Sequence, residues 1–414
     1  MEVVHTRCAG IDISKRDAKV CVRVQGSGNR ATKSTVTTWG SMTSQILALR
    51  DHLIEQKVTC VVMESTGDYW KPFYYLLEDG LDVMLVNARD ARNRPGRKTD
   101  VSDAAWLADL GAHGLLRASL VPPAPIRRLR DLTRTRTTLR RDRAREIQRI
   151  EKILEDAGIK LSSVATNIMG QSPRKMLEAL IAGNNDPAAM ADLARSRLRS
   201  KIPVLTEALA GRFTAHHGYL IQTHLRLFDA YTTALADLEA KITAELSPSL
   251  LAARDLLCSI PGWSTTVAEV FLAETGGDMS VFPTAGHLAS WTGVAPGSHE
   301  SAGKVKSTKC REGNRHLKGA LGVAALSASR SKTTYYGAKF RRLSARRGPM
   351  KAVVAVQRAM LVAAHEMLTN GDFYRDPGAD YFATRRPGPT KNHAIRQLET
   401  LGYRVTLEPL DDTA

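Results

Sequence analysis

Residues 127–157 contain neither glycine nor proline. Thirty-one residues without either interruption predict one long helix, since these two residue types break or weaken helices. Leu129, Leu132, Leu139, Ile147, Ile150 and Leu154 recur at helical or heptad-like steps, a spacing that lays an apolar seam along one face. The same stretch holds ten arginines, among them Arg127, Arg128, Arg134, Arg140 and Arg141. A rod this positive repels itself unless something anionic lies against it. Glu146, Glu151 and Glu155 can act as partial partners in a solvated coiled-coil face. Contact with backbone phosphates is the favoured reading, because arginine clusters neutralise phosphate.

The rod divides the chain. Before it, Val121-Pro122-Pro123-Ala124-Pro125 reads as a linker. Upstream, Gly10-Ile11-Asp12-Ile13-Ser14 and Lys19 to Val24 read as strands, and Thr32 to Thr37 adds a third candidate. Ser44 to Gln56 has helical periodicity. Val58 to Met63 is a nearly continuous, β-branched apolar run that ends at Glu64, the pattern of a buried central strand. A helix from about Trp70 to Glu78, a strand from Asp82 to Val86, a basic loop to Lys98 and a helix from about Asp100 to Gly111 complete the set. The order predicts an α/β domain over residues 1–122.

After the rod, a second long helix is expected over about His217 to Leu246, giving a helical or coiled-coil region over 123–248. Ser247-Pro248 opens a mainly α domain over 249–370. Within it, Leu256 to Val270 reads as a helix-hairpin-helix, whose turn offers backbone N–H groups to a phosphate. Trp263 and Ser264 stand where such hairpins often carry glycine or another small residue, and an ordinary αα-hairpin fits the pattern equally well. A Gly- and Ser-rich stretch, 289–315, carries Lys304, Lys306, Lys309 and Arg311. Helices are expected at about Arg315–Ser329 and Pro349–Thr369, followed by a weakly structured tail over 371–414.

The formal charge of +17 argues for a polyanionic partner. Nucleic acid fits better than membrane, because no run reaches the roughly 18 consecutive apolar residues that a span needs. The five cysteines (8, 21, 60, 258 and 310) lack CxxC spacing, which argues against a zinc site or a disulfide framework. Met1 to Gly10 has no signal-peptide core. A reduced, intracellular protein is the expectation.

Four acids fall where chemistry can use them. Asp12 follows a strand, Glu64 ends the buried strand, and Asp100 and Asp103 are expected in the first turn of a helix. Residues three apart share a helix face, and strand ends and helix starts meet at one edge of an α/β sheet. Taken singly, each acid has an ordinary role: Asp12 in a turn, Glu64 or Asp100 as a cap, Asp103 against the helix dipole. Together, their mutual repulsion calls for cations. Oxygen ligands of this kind suit Mg²⁺ or Mn²⁺, and two such ions can bracket a scissile phosphate.

The blocks Gly10-Ile11-Asp12-Ile13-Ser14-Lys15, Met63-Glu64-Ser65-Thr66-Gly67 and Lys98-Thr99-Asp100-Val101-Ser102-Asp103-Ala104 resemble the acidic motifs of the DEDD insertion-sequence transposases, the bridge-RNA-guided recombinases of the insertion-sequence one-hundred-and-ten family. Downstream, Ile260-Pro261-Gly262, Leu288 to Gly297, Glu300 to Lys304 and Gly313 to Lys318 resemble that family's transposase domain. The resemblance runs from about residue 8 to residue 369, with the middle matching only in character. It implies a RuvC-like, RNase-H-type fold at the N-terminus and a catalytic serine in the C-terminal domain. Ser301 is the matching position, beside Ala302, where family members often have glycine, and near Lys304. Taken alone, Ser301 reads as a loop serine, and Ser298 and Ser307 are its competitors. The resemblance further implies donor and target DNA, a structured guide RNA, and a homo-oligomer (dimer or tetramer).

The expected function is therefore a transposase that excises and inserts a mobile element. Asp12, Glu64, Asp100 and Asp103 would hold metal, and Ser301 would attack. One rival is a metal-dependent nuclease of the junction-resolvase kind, which uses water. The other is a nucleic-acid scaffold whose acids only cap helices.

Overall fold

The structure, a computed structural model, describes residues 2–28, 30–65, 67–88, 91, 102–385 and 387–408. The chain separates into two compact units, Met1–Val121 and Pro122–Ala414. The division falls in the proline-rich stretch expected to be a linker, and the sequence boundary at residue 248 lies inside the second unit.

In the first unit the elements run β1 (Arg7–Ile13), β2 (Asp17–Val24), β3 (Lys33–Gly40), α1 (Thr43–Glu55), β4 (Cys60–Glu64), α2 (Trp70–Leu77), β5 (Val83–Val86) and α3 (Asp103–Ala112). They build one sheet in the order β3-β2-β1-β4-β5. The first three strands form an antiparallel meander, and β4 and β5 join in parallel. Parallel joins need a crossover, and α1 and α2 supply it. This mixed sheet fits the RuvC-like domain expected from the resemblance.

Every residue of β4 is buried, as its unbroken apolar run requires of a central parallel strand. Alternation along β1 and β4 sorts the two faces. Ala9, Ile11, Val61 and Met63 pack with Leu49, Leu53, Phe73 and Leu77 of α1 and α2. Cys8, Cys60 and Val62 point the other way and pack with Leu107 and Leu110 of α3.

The second unit is helical apart from one small hairpin. Its framework is α4 (Ala124–Asp156) and, after short helices between residues 161 and 209, α5 (Ala215–Glu245). These two lie antiparallel, tied by Arg128 to Glu245 (3.2 Å), Arg140 to Glu239, Glu146 to His224 (2.7 Å) and Asp156 to His217 (3.0 Å). At one end, Ile150 and Leu154 of α4 and Ile221 and Leu225 of α5 join the short helices in an apolar core. At the other end, Leu129 meets Ile242, Leu246 and Ala273.

The chain continues through α6 (Pro248–Cys258), α7 (Thr265–Thr275), α8 (Ala285–Thr292), β6 (His299–Ser301), β7 (Lys304–Ser307), α9 (Arg315–Ser329), α10 (Tyr335–Arg347), α11 (Pro349–Asn370), α12 (Tyr381–Arg385) and α13 (Pro387–Thr400). By length and composition α11 could cross a membrane, yet half of its most apolar 18-residue window is buried. Val356, Met360, Leu361 and Ala364 make it a core helix.

Three features differ from the sequence expectations. The stretch 289–315 contains the β6–β7 hairpin. A helix, α10, occupies 335–347, where none was expected. The tail begins as a docked segment: Tyr374 stacks on Tyr336 at 5.5 Å, Phe382 stacks on Tyr335 at 5.4 Å, and the Tyr335 N–H donates to Asp376 Oδ1 at 2.9 Å. Aromatic rings bury large apolar areas, so Tyr374 and Phe382 supply the surface that a polar tail lacks.

Candidate active site

The sheet register brings two of the predicted acids together. Ile11 of β1 is paired with Met63 of β4. The pairing ends there, and Asp12 and Glu64 are the next residues of the two strands. In-register residues of neighbouring strands lie about 4.8 Å apart and point to the same face. Ile11 and Met63 face α1 and α2, so Asp12 and Glu64 face the α3 side. Glu64 is 9% exposed and Asp12 is half-buried.

Helix α3, packed on that same face of the sheet, begins with the third acid. Asp103 is its first residue, and the Ser102 hydroxyl caps it by accepting from Ala105 N–H at 3.3 Å. The cap is thus Ser102, whereas the sequence suggested a helix starting at Asp100. An acid in the first turn suits the helix dipole. Close approach of helix and sheet depends on Gly10. A Cβ added there would lie 2.1 Å from the Ala104 carbonyl oxygen and 2.4 Å from Ala108 N. Arg23 of β2 adds a second tie, with Nε donating to Asp109 Oδ1 at 3.1 Å. Asp12, Glu64 and Asp103 each have a polar or electrostatic partner. Asp100 lies outside the described residues, as do Lys98 and Thr99.

The donor set is oxygen-only and anionic, which fits a hard divalent cation. Among the described residues, no three His, Cys, Asp or Glu side chains converge closely enough to hold a metal. Asp12 and Glu64 follow the last paired residues of β1 and β4, and Asp103 opens the helix that covers this face.

The second predicted group, Ser301, lies in the other unit. It ends β6 and pairs across the hairpin with Lys304. Directly opposed residues of an antiparallel pair share a face, so the serine hydroxyl and the lysine ammonium stand on one side. Both are exposed. Ala302 and Gly303 form the two-residue turn at φ +49° and +73°. Positive φ at both positions is the primed-turn geometry that right-twisted strands prefer. It also explains why glycine suits position 302 better than alanine.

The ends of the loop that carries the hairpin are clamped. Asn314 N–H donates to Trp291 O at 3.1 Å, and Lys318 Nζ to Gly293 O at 2.9 Å. Asn314 caps α9, its Oδ1 accepting from His316 and Leu317, while its Nδ2 donates to Glu274 Oε2 at 2.7 Å.

The arginines of α4 divide into several environments. Arg134 forks onto Glu274 with two 2.8 Å bonds, and Arg130 donates to the Ala273 and Glu274 carbonyls. Arg136 is 1% exposed and pairs with Glu269, which Arg254 also approaches at 3.8 Å. Arg128 and Arg140 pair with acids of α5. Arg127 has a partner as well, and Arg141 is exposed. Several cations expected at phosphate thus meet carboxylates of the same unit.

Glu269 and Glu274 were missed in the sequence. Their signal was two acids inside the otherwise apolar helix Val267–Thr275. Burial pushes the Glu274 carboxyl up, but the Arg134 fork, the Asn314 amide and Arg130 outweigh it and hold it below the usual carboxylate range. Burial, aided by Arg134, Arg315 and Arg141, pushes the His316 imidazole down.

The mixed sheet fits a RuvC-like domain of the kind DEDD transposases carry. The IS110-type DEDD domain family described as "Transposase" matches residues 9–159, and "Transposase IS116/IS110/IS902 family" matches residues 254–340. The chain belongs to the IS110 family of transposases. It is similar to the "Insertion element IS900 uncharacterized 42 kDa protein" of Mycobacterium paratuberculosis, 26% identical over 88% of this chain and 96% of that protein. It is also similar to the "Insertion element IS110 uncharacterized 43.6 kDa protein" of Streptomyces coelicolor, 35% identical over 141 residues, a third of each chain.

Proposed function

We propose that this transposase excises and inserts its element by cutting and rejoining DNA strands, with carboxylates and a serine sharing the work. The observation that carries this reading is the register that sets Asp12 beside Glu64 on the face covered by α3, whose first residue is Asp103. These three, with Asp100, would hold Mg²⁺ or Mn²⁺. Bound there, the ions supply charge neutralisation and orientation at the scissile phosphate.

The chain's own groups then act as follows. Carboxylates held by β1, β4 and the start of α3 keep their positions because the sheet and Gly10 fix them. Ser301 Oγ attacks phosphorus, forming a new P–O bond while the bond to the departing deoxyribose oxygen breaks. The serine's proton leaves with general-base help, and the departing oxygen gains one. Lys304, on the same side of the hairpin, offsets phosphate charge. The phosphoserine link retains the phosphodiester's bond energy until another strand's hydroxyl displaces the serine. The family resemblance extends the reading to a homo-oligomer in which acids and serine meet across subunits. The reading extends to a structured guide RNA, to helix-hairpin-helix and coiled-coil contacts with nucleic acid at α6–α7 and α4–α5, and to action at the bacterial nucleoid.

Mg²⁺-dependent strand transfer tests this. Asp12→Ala and Ser301→Ala should each abolish it in folded protein. Ser301→Ala with intact cleavage and exchange would leave the water-using nuclease. Indifference to both changes would leave the scaffold.

A further inference from the structure

Among the described residues, a dense group of cations without a carboxylate partner lies on α10. Between Glu312 and Glu366 there is no Asp or Glu, while eleven lysines and arginines occur. That interval carries a formal +11 of the chain's +17. By contrast, α4 carries six acids of its own and borrows Glu239, Glu245, Glu269 and Glu274 from α5 and α7.

Helix α10 holds Lys339, Arg341, Arg342, Arg346 and Arg347, and Lys351 follows in the first turn of α11. Among the described residues, no carboxylate comes within 4.0 Å of any of these six cations. Their recorded partners are of other kinds. Arg342 lies 4.7 Å over the Phe382 ring, Lys339 lies 5.2 Å over Tyr335, and Arg341 donates to the Ser331 and Lys332 carbonyls. Arg341, Arg342, Arg346, Arg347 and Lys351 are exposed.

Two terminal-turn cations are enough to complement a helix dipole. Six without a carboxylate repel one another, a cost that an anionic ligand removes. Spacing adds to charge. Lys339, Arg342 and Arg346 share a helix face and are seven helical steps apart end to end, about 10 Å of helix. A DNA strand carries one phosphate per roughly 3.4 Å of axis, so this row can meet several. The tail packs on the start of the helix through Tyr336 on Tyr374 and Tyr335 on Phe382, and the rings of Tyr335 and Phe382 also hold the side chains of Lys339 and Arg342. A rigid basic rod braced by packed rings suits a stiff, regular polyanion.

We propose that α10, with Lys351, is a docking surface for the phosphate backbone of duplex DNA, read without regard to sequence. This rests on DNA being the substrate, as in the function proposed above. The test is equilibrium binding of the full chain to a random-sequence 30-base-pair duplex over a series of salt concentrations, with a hairpin RNA of equal length as a second probe. The R342Q/R346Q/R347Q variant should bind the duplex at least about tenfold more weakly at low salt. Its log–log salt slope should be shallower by about one per arginine removed. If that variant misfolds, R346Q/R347Q replaces it, since neither arginine lies over a ring, and a slope change of about two is expected. Unchanged affinity and slope in a variant, while the unaltered protein binds duplex, overturns the α10 assignment alone. Loss confined to the RNA probe also overturns it. Failure of the unaltered protein to bind duplex DNA overturns both this assignment and the reading beneath it.

Discussion

Arg134 grips Glu274 at two points, Nε to Oε1 and Nη2 to Oε2, each at 2.8 Å. The carboxylate is fully buried and also accepts from Asn314, the cap of α9. One acid thus links the long helix α4 to the end of the loop that presents Ser301. Removing one member of a buried pair leaves the other charge uncompensated. Glu274→Ala should therefore lower the stability of the second unit by about 3–5 kcal/mol, read as a shift in its urea midpoint. An unchanged midpoint would mean that the fork is not formed in solution.

The same hub sets a pH dependence. The Glu274 carboxyl is held below its ordinary value of 4.5. Its contribution is fully present above that value and is lost as pH falls through the lower folded one. The His316 pKa is pushed below 6.5 by burial and by neighbouring guanidinium groups. Its share is likewise present above 6.5 and declines on acidification below it. Melting temperature followed from pH 8 to pH 3 should thus fall in two stages. His316→Gln should remove the upper stage and Glu274→Gln the lower.

Gly10 offers a test of the acidic edge that alters no acid. An added Cβ would sit 2.1 Å from the Ala104 carbonyl oxygen, so α3 must move away from β1, carrying Asp103 with it. Overpacking of this kind costs about 1–3 kcal/mol. Gly10→Ala should also reduce strand transfer well below its melting temperature, because Asp103 then stands off from Asp12. Full activity in a folded Gly10→Ala protein would show that the spacing of these acids is unimportant.

Ala302 sits at φ +49° in the turn after Ser301. A side chain there costs roughly 1–2 kcal/mol relative to glycine. Ala302→Gly should relieve that strain, and hydrogen exchange of the hairpin amides in 299–307 should slow. Faster exchange would mean that the gain in unfolded-chain entropy outweighs the strain.

Much of the first unit was legible because its signals are local. The alternation at Lys19 to Val24 and the apolar run before Glu64 each declared themselves. Which residues meet across strands was not legible, since register is a tertiary property; β1 and β4 are some fifty residues apart and still place Asp12 beside Glu64. Ser301 was reached only through family resemblance, because a loop serine has no distinctive spacing. Helix α10 was hidden by its charge: only Tyr336 and Gly337 of its thirteen residues are buried, so no apolar stripe marks it. The inward turn of Arg134 and Arg136 was invisible because their acids lie 140 and 133 positions away. Local charge density pointed to α4, whereas among the described residues the cations of α10 have no carboxylate within 4.0 Å.

The central claim is that carboxylates and Ser301 act on one phosphate. The most direct measurement is a denaturing gel of a labelled DNA substrate after incubation with Mg²⁺ and the full chain, with any guide RNA it requires. The account predicts a covalent protein–DNA adduct that maps to Ser301 and is absent from Ser301→Ala, Asp12→Ala and Asp103→Ala. Cleavage by the unaltered protein with no adduct, or an adduct that persists in Ser301→Ala, would contradict it.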